Sequence, residues 1–268
     1  MPLDLDLALA TARRAVEAAA TASLAHFRRG VRVEVKPDRT PVTAADRDAE
    51  AAVVAVVRAV FPGHAILGEE TGAHGGDASL RWIVDPIDGT RGFTRGGSFW
   101  GPLVALEQEG RVVAGAMAMP ALGEVYWAAR GRGAFWVRPG SEPARLQVSG
   151  VSDWSESTFS FGEFRFVFDA ALERQVLGLA RSAAQTRCYG DLAGAAQVLT
   201  GRAEAWLEAG VKIWDLAPLQ VLAEEAGGRF TDLAGRETAA SGSCVLSNGR
   251  VHDHVLRALA APAAARGA

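Results

Sequence analysis

The apolar run Trp82-Ile83-Val84 stops at Asp85-Pro86-Ile87-Asp88-Gly89-Thr90, two carboxylates separated by a Pro-Ile step. A run this apolar predicts a buried strand, with Asp85 and Asp88 at its carboxyl end in a turn whose shape Pro86 and Gly89 restrict. Carboxylates this close repel, and one stays protonated unless a cation lies between them. The donors at hand are all oxygens: two Asp side chains, the Ile87 carbonyl and water. That set suits a hard divalent ion. Alone, Asp-x-x-Asp-Gly is more often a solvated surface turn, so the case rests on the remainder of the chain.

A second apolar run, Ala65-Ile66-Leu67, ends at Gly68-Glu69-Glu70, and a third cue, Trp214-Asp215, precedes the helical pattern Leu216, Leu219, Val221, Leu222, Ala226. Two strands that end in acids converge if they lie side by side in one sheet. Asp215 reads as the N-cap of its helix, a role that leaves lone pairs for a metal. Thr43 and Asp46 read as a capping box.

Between these cues the periodicity predicts a helix over 5–27 with Leu5, Leu9, Val16, Ala20, Leu24 and Phe27 on its apolar face, a half-exposed strand over 31–35 and a stiff loop over 36–41. A helix follows from Thr43 to Phe61-Pro62. Residues 99–106, 112–119, 124–129 and 133–137 read as a meander of antiparallel strands. A Pro, Ser and Gly-rich crossing over 140–156 divides the chain into halves, 1–145 and 146–268. Beyond it come alternating aromatics over 159–168, a helical pattern over 169–184, strands at 186–188 and 203–207, and a helix over 192–199. Strands at 229–232 and 245–247 and a helix over 252–259 lead to an Ala/Gly tail expected to be disordered.

With 268 residues, 49% hydrophobic and 22% charged, the chain has material for a large core. A net charge of −3 offers no basic field for nucleic acid or an anionic membrane, so the expected partner is a small molecule. No span-length apolar run or signal peptide is recognisable, which gives the expectation of a cytoplasmic protein. Cys188 and Cys244 lack metal-site spacing and read as buried thiols.

In order and spacing, Gly68-Glu69-Glu70, Asp85-Pro86-Ile87-Asp88-Gly89-Thr90 and Trp214-Asp215 with Glu224-Glu225-Ala226-Gly227-Gly228 resemble the three signatures of the inositol monophosphatase-like, magnesium-dependent phosphatases. Lys36 and Thr43-Ala44-Ala45-Asp46 match the family's N-terminal loop and helix start. Lys36-Pro37-Asp38, Arg91-Gly92-Phe93, Pro120-Ala121-Leu122-Gly123 and Gly190-Asp191 are most similar to the histidinol-phosphate phosphatase branch. Leu192 and Ala193 depart from that branch, which usually carries an aromatic there.

The resemblance implies an α+β / α/β fold, an αβαβα layered sandwich, as a homodimer. It implies two to three Mg²⁺ ions: Glu69, Asp85 and the Ile87 carbonyl for the first, and Asp85, Asp88 and Asp215 for the second. Glu69 and Thr90 then orient and deprotonate the attacking water, with Asp88 also in the catalytic set, and Lys36 and Asp46 in support. Gly89 and Thr90 receive the phosphate on the amides that open a helix. Asp88, Asp191 and Glu208 face the organic part of the substrate. Alternatives for Asp191 and Glu208 are a helix N-cap and a solvated strand end. The implied activity is hydrolysis of L-histidinol phosphate. The rivals are an inositol or broad sugar-monophosphate phosphatase, and a regulatory binding protein on the same scaffold. The full set of acids disfavours the latter, because idle buried carboxylates only cost stability.

Overall fold

The computed structural model describes residues 3–30, 32–36 and 41–261. Most of the 36–41 loop, Val31 and residues 262–268 of the tail lie outside the described residues. Helix α1 (Leu5–Leu24) is capped by Asp4, whose Oδ1 accepts the Asp6 and Leu7 amides at 3.1 and 3.0 Å. Its buried face is Ala8, Thr11, Ala12, Ala15, Val16, Ala19 and Ser23, whereas Leu24 is 41% exposed. Of the expected stripe, Val16 is buried and Leu5, Leu9, Ala20 and Phe27 pack against the same core, while the small residues between them let α1 approach its neighbours closely. Short strands β1 (Glu34–Val35) and β2 (Pro41–Val42) pair before α2 (Ala44–Val60), which opens with the Thr43/Asp46 capping box that the sequence predicts.

The first sheet comprises β3 (His64–Gly68), β4 (Gly72–His74) and β5 (Asp77–Asp88), followed after the short helix α3 (Thr90–Thr94) by β6 (Gly101–Gln108), β7 (Arg111–Met119), β8 (Glu124–Ala129), β9 (Gly133–Val137) and β10 (Ala144–Arg145). Its eight strands run in the order β10-β9-β8-β7-β6-β5-β3-β4. All pairs are antiparallel except β3 with β5, which run side by side in the same direction.

The second half begins with β11 (Thr158–Phe161) and α4 (Phe164–Asp169), so the alternating aromatics divide between a strand and a helix rather than forming one extended run. Next come α5 (Glu173–Ser182), β12 (Gln185–Arg187), α6 (Asp191–Leu199), β13 (Ala205–Ala209), α7 (Ile213–Glu225), β14 (Arg229–Thr231), β15 (Ser243–Ser247) and α8 (His252–Ala260). The second sheet has the order β12-β11-β13-β15-β14 and mixes parallel and antiparallel pairs.

Alternation along the strands builds the layers. Trp82, Val84, Val104 and Leu106 face α1 and α2, while Ile83, Leu103, Ala105 and Met117 face α6 and α7. In β13 Trp206 points to that same middle layer, and Ala205 and Leu207 point to Val176 and Leu179 of α5 and Val255 and Leu259 of α8. The result is an αβαβα sandwich in which α6 and α7 lie between the two sheets.

Behind the second sheet His252 is fully buried, its Nε2 2.9 Å from Thr231 Oγ1 and its Nδ1 2.8 Å from Ser247 Oγ. Thr231 gives its hydrogen to Asp232 O, so Nε2 carries the proton and Nδ1 accepts from Ser247. A second proton, on Nδ1, would turn the Ser247 hydroxyl away from the donor role it has there. Burial, with Arg229 adding to it, pushes His252 down to about 4, only partly offset by Asp253. The unfolded ring takes a proton below its ordinary value of 6.5 and the folded ring does not, so stability falls as pH drops from 6.5 toward 4. Between pH 7 and 5 the protein is expected to lose about 2 kcal/mol more than a His252→Gln variant. Urea unfolding of both at the two pH values checks this, and equal losses would refute it.

Candidate active site

The parallel pairing of β3 with β5 sets Gly68 beside Val84, and the Glu69 amide donates to Val84 O at 3.1 Å. The two acid-bearing strands thus run side by side in parallel, as the sequence suggests, with Glu69 and Asp85 following the paired Gly68 and Val84. One expectation changes. β5 does not end before the carboxylates but continues through Asp88, with Asp85 opposite Leu103 and Asp88 opposite Gly101. Three steps on β5 match two on β6, so Pro86 and Ile87 form a bulge. Pro86 has no N–H to give to a ladder, and the Ile87 amide turns instead to Asp85 Oδ1 at 2.9 Å.

Across the middle layer α7 supplies Asp215. Lys212 is the N-cap and Asp215 is the third helical residue, not the cap itself, accepting the Lys212 amide at 2.6 Å. One carboxylate oxygen from each of Asp85, Asp88 and Asp215 can be chosen so that all lie within 4.8 Å of one another. Asp85 is 1% exposed, and its carboxyl is raised well above the usual range by burial and then by the charges of Glu69, Asp215 and Asp88. Asp88 is raised by burial and then by Asp191 and Asp215, although the Leu192 amide, 2.6 Å from Asp88 Oδ2, opposes the shift. Asp215 is pushed up to about 6, again chiefly by burial. Three mutually repelling, poorly hydrated carboxylates, with no cationic side chain among them in the described residues, match the donor set of a hard divalent ion.

Glu69 stands at the rim, held by Lys36 Nζ at 2.9 Å; the same ammonium reaches Glu70 Oε1 at 2.6 Å. Burial alone would lower Lys36, but its bonds to Glu70 and Glu69 outweigh that and hold it above the usual lysine range. Burial pushes Glu70 up to about 7 against the pull of Lys36. On the other side, Gly89 adopts φ +79, and a Cβ there would lie 2.8 Å from Phe99 O. Thr90 opens α3 next to it. Its hydroxyl is 2.9 Å from Ile87 O and 3.3 Å from Asp46 Oδ1, and the fully buried Asp46 is fixed through its other oxygen by the Thr43 amide and hydroxyl, both at 2.7 Å.

Facing Asp88 from the second half are Asp191 and Glu208. Gly190 caps α6, and Asp191 follows as its first residue with φ +56. Glu208 is 4% exposed, so it is no solvated strand end. Its carboxylate lies over Gly162, where a Cβ would stand 1.8 Å from Oε1. Burial and then Asp191 push Glu208 up to about 8, while the amides of Ala209, Asp191 and Glu163 pull the other way. Burial and Glu163 raise Asp191 to about 6. The thiols part company: Cys244 is buried, but Cys188 is exposed on the edge of this pocket, with Sγ 3.2 Å from Gly162 O. Cys188 follows the short edge strand β12, which leaves it uncovered.

Three participants have no place in the sequence reading. Glu163 adds a carboxylate beside Asp191. Gly162 makes room for Glu208. Glu50, 1% exposed, accepts the Glu70 and Thr71 amides, each at 2.9 Å. A signal for Glu50 exists: Asp46, Glu50, Val53 and Val57 follow a single helical stripe, two acids on an otherwise apolar face. Glu163 and Gly162 carry no local signal, because their roles depend on β13 arriving opposite them.

The sequence model described as the inositol monophosphatase family matches residues 4–263. A histidinol-phosphatase of Mycobacterium tuberculosis is 41% identical over 259 residues, covering 96% of this chain and 97% of that protein. A histidinol-phosphatase of Streptomyces coelicolor is 37% identical over 245 residues, covering 90% and 92%. Among solved structures, the extragenic suppressor protein suhB from Bartonella henselae superposes with a TM-score of 0.87 at 26% identity, covering 96% of this chain and 100% of that one. Among the described residues no helix is long and apolar enough to cross a membrane.

Proposed function

We propose that this chain, which belongs to the inositol monophosphatase family and is a phosphoric monoester hydrolase, converts L-histidinol phosphate to L-histidinol and phosphate with Mg²⁺ in its acidic site. The observation that carries the substrate reading is the second acidic pocket. In this buried space Asp191 and Glu208 raise the Asp88 carboxyl, Asp191 raises that of Glu208, and Glu163 raises that of Asp191. A neutral polyol leaves that repulsion in place. A substrate bearing an ammonium and an imidazole relieves it, and histidinol phosphate carries both.

In this reading Glu69, Asp85 and the Ile87 carbonyl hold one ion, and Asp85, Asp88 and Asp215 hold a second. Bound Mg²⁺ supplies charge neutralisation of the phosphate oxygens and acidification of water, effects larger than the 10²–10⁴-fold of a lone general base. The chain's own groups do the rest. Thr90 gives its hydrogen to Ile87 O or Asp46 Oδ1, so its oxygen lone pairs accept from the attacking water and fix its direction. Glu69, restrained by Lys36, accepts the second hydrogen of that water and takes its proton. The amides of Gly89 and Thr90 bind the phosphate. Asp88, tied to the Leu192 amide, aligns the metal side of the site with the pocket for the organic group.

A panel of phosphate esters assayed for kcat/KM with and without Mg²⁺ tests the assignment. Histidinol phosphate is expected to exceed myo-inositol 1-phosphate by roughly 10²-fold or more, the discrimination available to a site whose buried polar groups need a partner. A preference for the inositol ester would transfer the protein to the second reading, an inositol or sugar-monophosphate phosphatase.

A further inference from the structure

Glu50 lies one helical turn beyond Asp46 on the buried face of α2, and like charges at that spacing oppose helix formation even on a surface. Burial makes the opposition larger. Among the described residues the carboxylate is compensated at the turn that follows β3: Oε2 takes the Glu70 amide at 2.9 Å, and Oε1 takes the Thr71 amide at 2.9 Å and the Thr71 hydroxyl. Thr71 Oγ1 also contacts His74 Nε2 at 2.5 Å, which extends the hold into β4. Gly68 completes the seat, since a Cβ there would stand 2.4 Å from Glu50 Oε1.

Glu69 hangs from this turn. Its own amide is spent on Val84 O, so the two amides that follow it decide where its Cα points, and both end on Glu50. We infer that Glu50 is a positioning residue for the metal site, acting through the turn of residues 68–71 to aim Glu69, while Asp46 on the same helix holds Thr90. Helix α2 thereby fixes two sides of the site from one stripe. The inference rests on the reading of Glu69 as an ion ligand.

The test is calorimetric titration of Mg²⁺ into the full chain, with melting curves of the metal-free proteins and kcat at saturating Mg²⁺. Glu50→Gln keeps the volume but sets an amide group against two backbone donors, and it is expected to weaken Mg²⁺ binding roughly tenfold. Because Glu69 also takes the proton of the attacking water, kcat at saturating Mg²⁺ should fall as well, by about tenfold. In a Glu69→Gln background Glu50→Gln should cost no further Mg²⁺ affinity, and that non-additivity separates aiming a ligand from holding up the fold. Gly68→Ala displaces the Glu50 carboxylate with every acid still present, and should weaken binding similarly; it carries the test if Glu50→Gln does not fold. Glu69→Gln is the control. If Glu69→Gln loses affinity while folded Glu50→Gln or Gly68→Ala binds within about twofold of wild type, the positioning role is wrong. If Glu69→Gln itself binds as wild type does, the ligand reading fails and the inference with it.

Discussion

Asp85→Asn is expected to lower turnover by at least about 10³-fold, roughly 4 kcal/mol of transition-state stabilisation, and at the same time to raise the melting temperature of the metal-free protein. The two effects have one cause. Asp85 is 1% exposed and faces Glu69, Asp215 and Asp88, so burial and then those charges disfavour its ionised form in the folded, metal-free protein relative to the unfolded one. An asparagine of the same shape removes that difference. Its Oδ1 can still accept the Ile87 amide, and its Nδ2 can donate to Asp215. The gain arises because the variant no longer has to hold a disfavoured carboxylate in the folded, metal-free state. Adding Mg²⁺ should raise the melting temperature of the wild type but barely that of the variant. A variant that melts lower than wild type in chelator, or that keeps a tenth of the activity, would contradict the assignment of Asp85 as the bridging ligand.

Glu208→Gln should cost about 10²-fold in kcat/KM for histidinol phosphate, equivalent to about 2.7 kcal/mol, while leaving a small ester with no cationic group, such as methyl phosphate, within about threefold. The carboxylate is buried over Gly162, and the amides of Ala209, Asp191 and Glu163 support its ionised form. A cationic group placed there strips the proton that burial otherwise retains. Because Glu208 is pushed up to about 8, the free enzyme gains the competent carboxylate as pH rises toward that value. The wild-type kcat/KM for histidinol phosphate should therefore climb between pH 6 and 8, and the Gln variant should show a flatter limb. Parallel profiles, or equal losses on both esters, would remove Glu208 from substrate recognition.

The parts of this site that a sequence reader can find are those where a residue contradicts its neighbours. Asp85 after Trp82-Ile83-Val84 and Glu69 after Ala65-Ile66-Leu67 are acids at the ends of apolar runs, and their convergence follows once β3 and β5 pair in parallel. The meander and the helical stripes are legible from their clear periods, whereas the αβαβα layering is implied by the family resemblance. What escapes depends on partners remote in the chain. The bulge at Pro86 and Ile87 exists only against the register of β6, and without it the carboxylates read as a turn beyond the strand. Asp215 reads as an N-cap because capping residues and third-position acids use the same chemistry, and only the Lys212 amide distinguishes them. The apolar stripe of helix α1 is legible, but the alanines that fill its most buried positions are not, because close approach rather than side-chain size selects them. Glu50 was open to detection on its stripe, whereas Glu163 becomes relevant only where β11 ends beside β13.

The direct test of the claim that divalent ions hold these distant acids together for catalysis is the hydrolysis rate of the wild-type protein after exhaustive chelation and again after Mg²⁺ is restored. The account predicts loss of more than about 10³-fold with chelator and full recovery on adding Mg²⁺, with the fold intact throughout. Hydrolysis that continues undiminished in the chelated protein would contradict it.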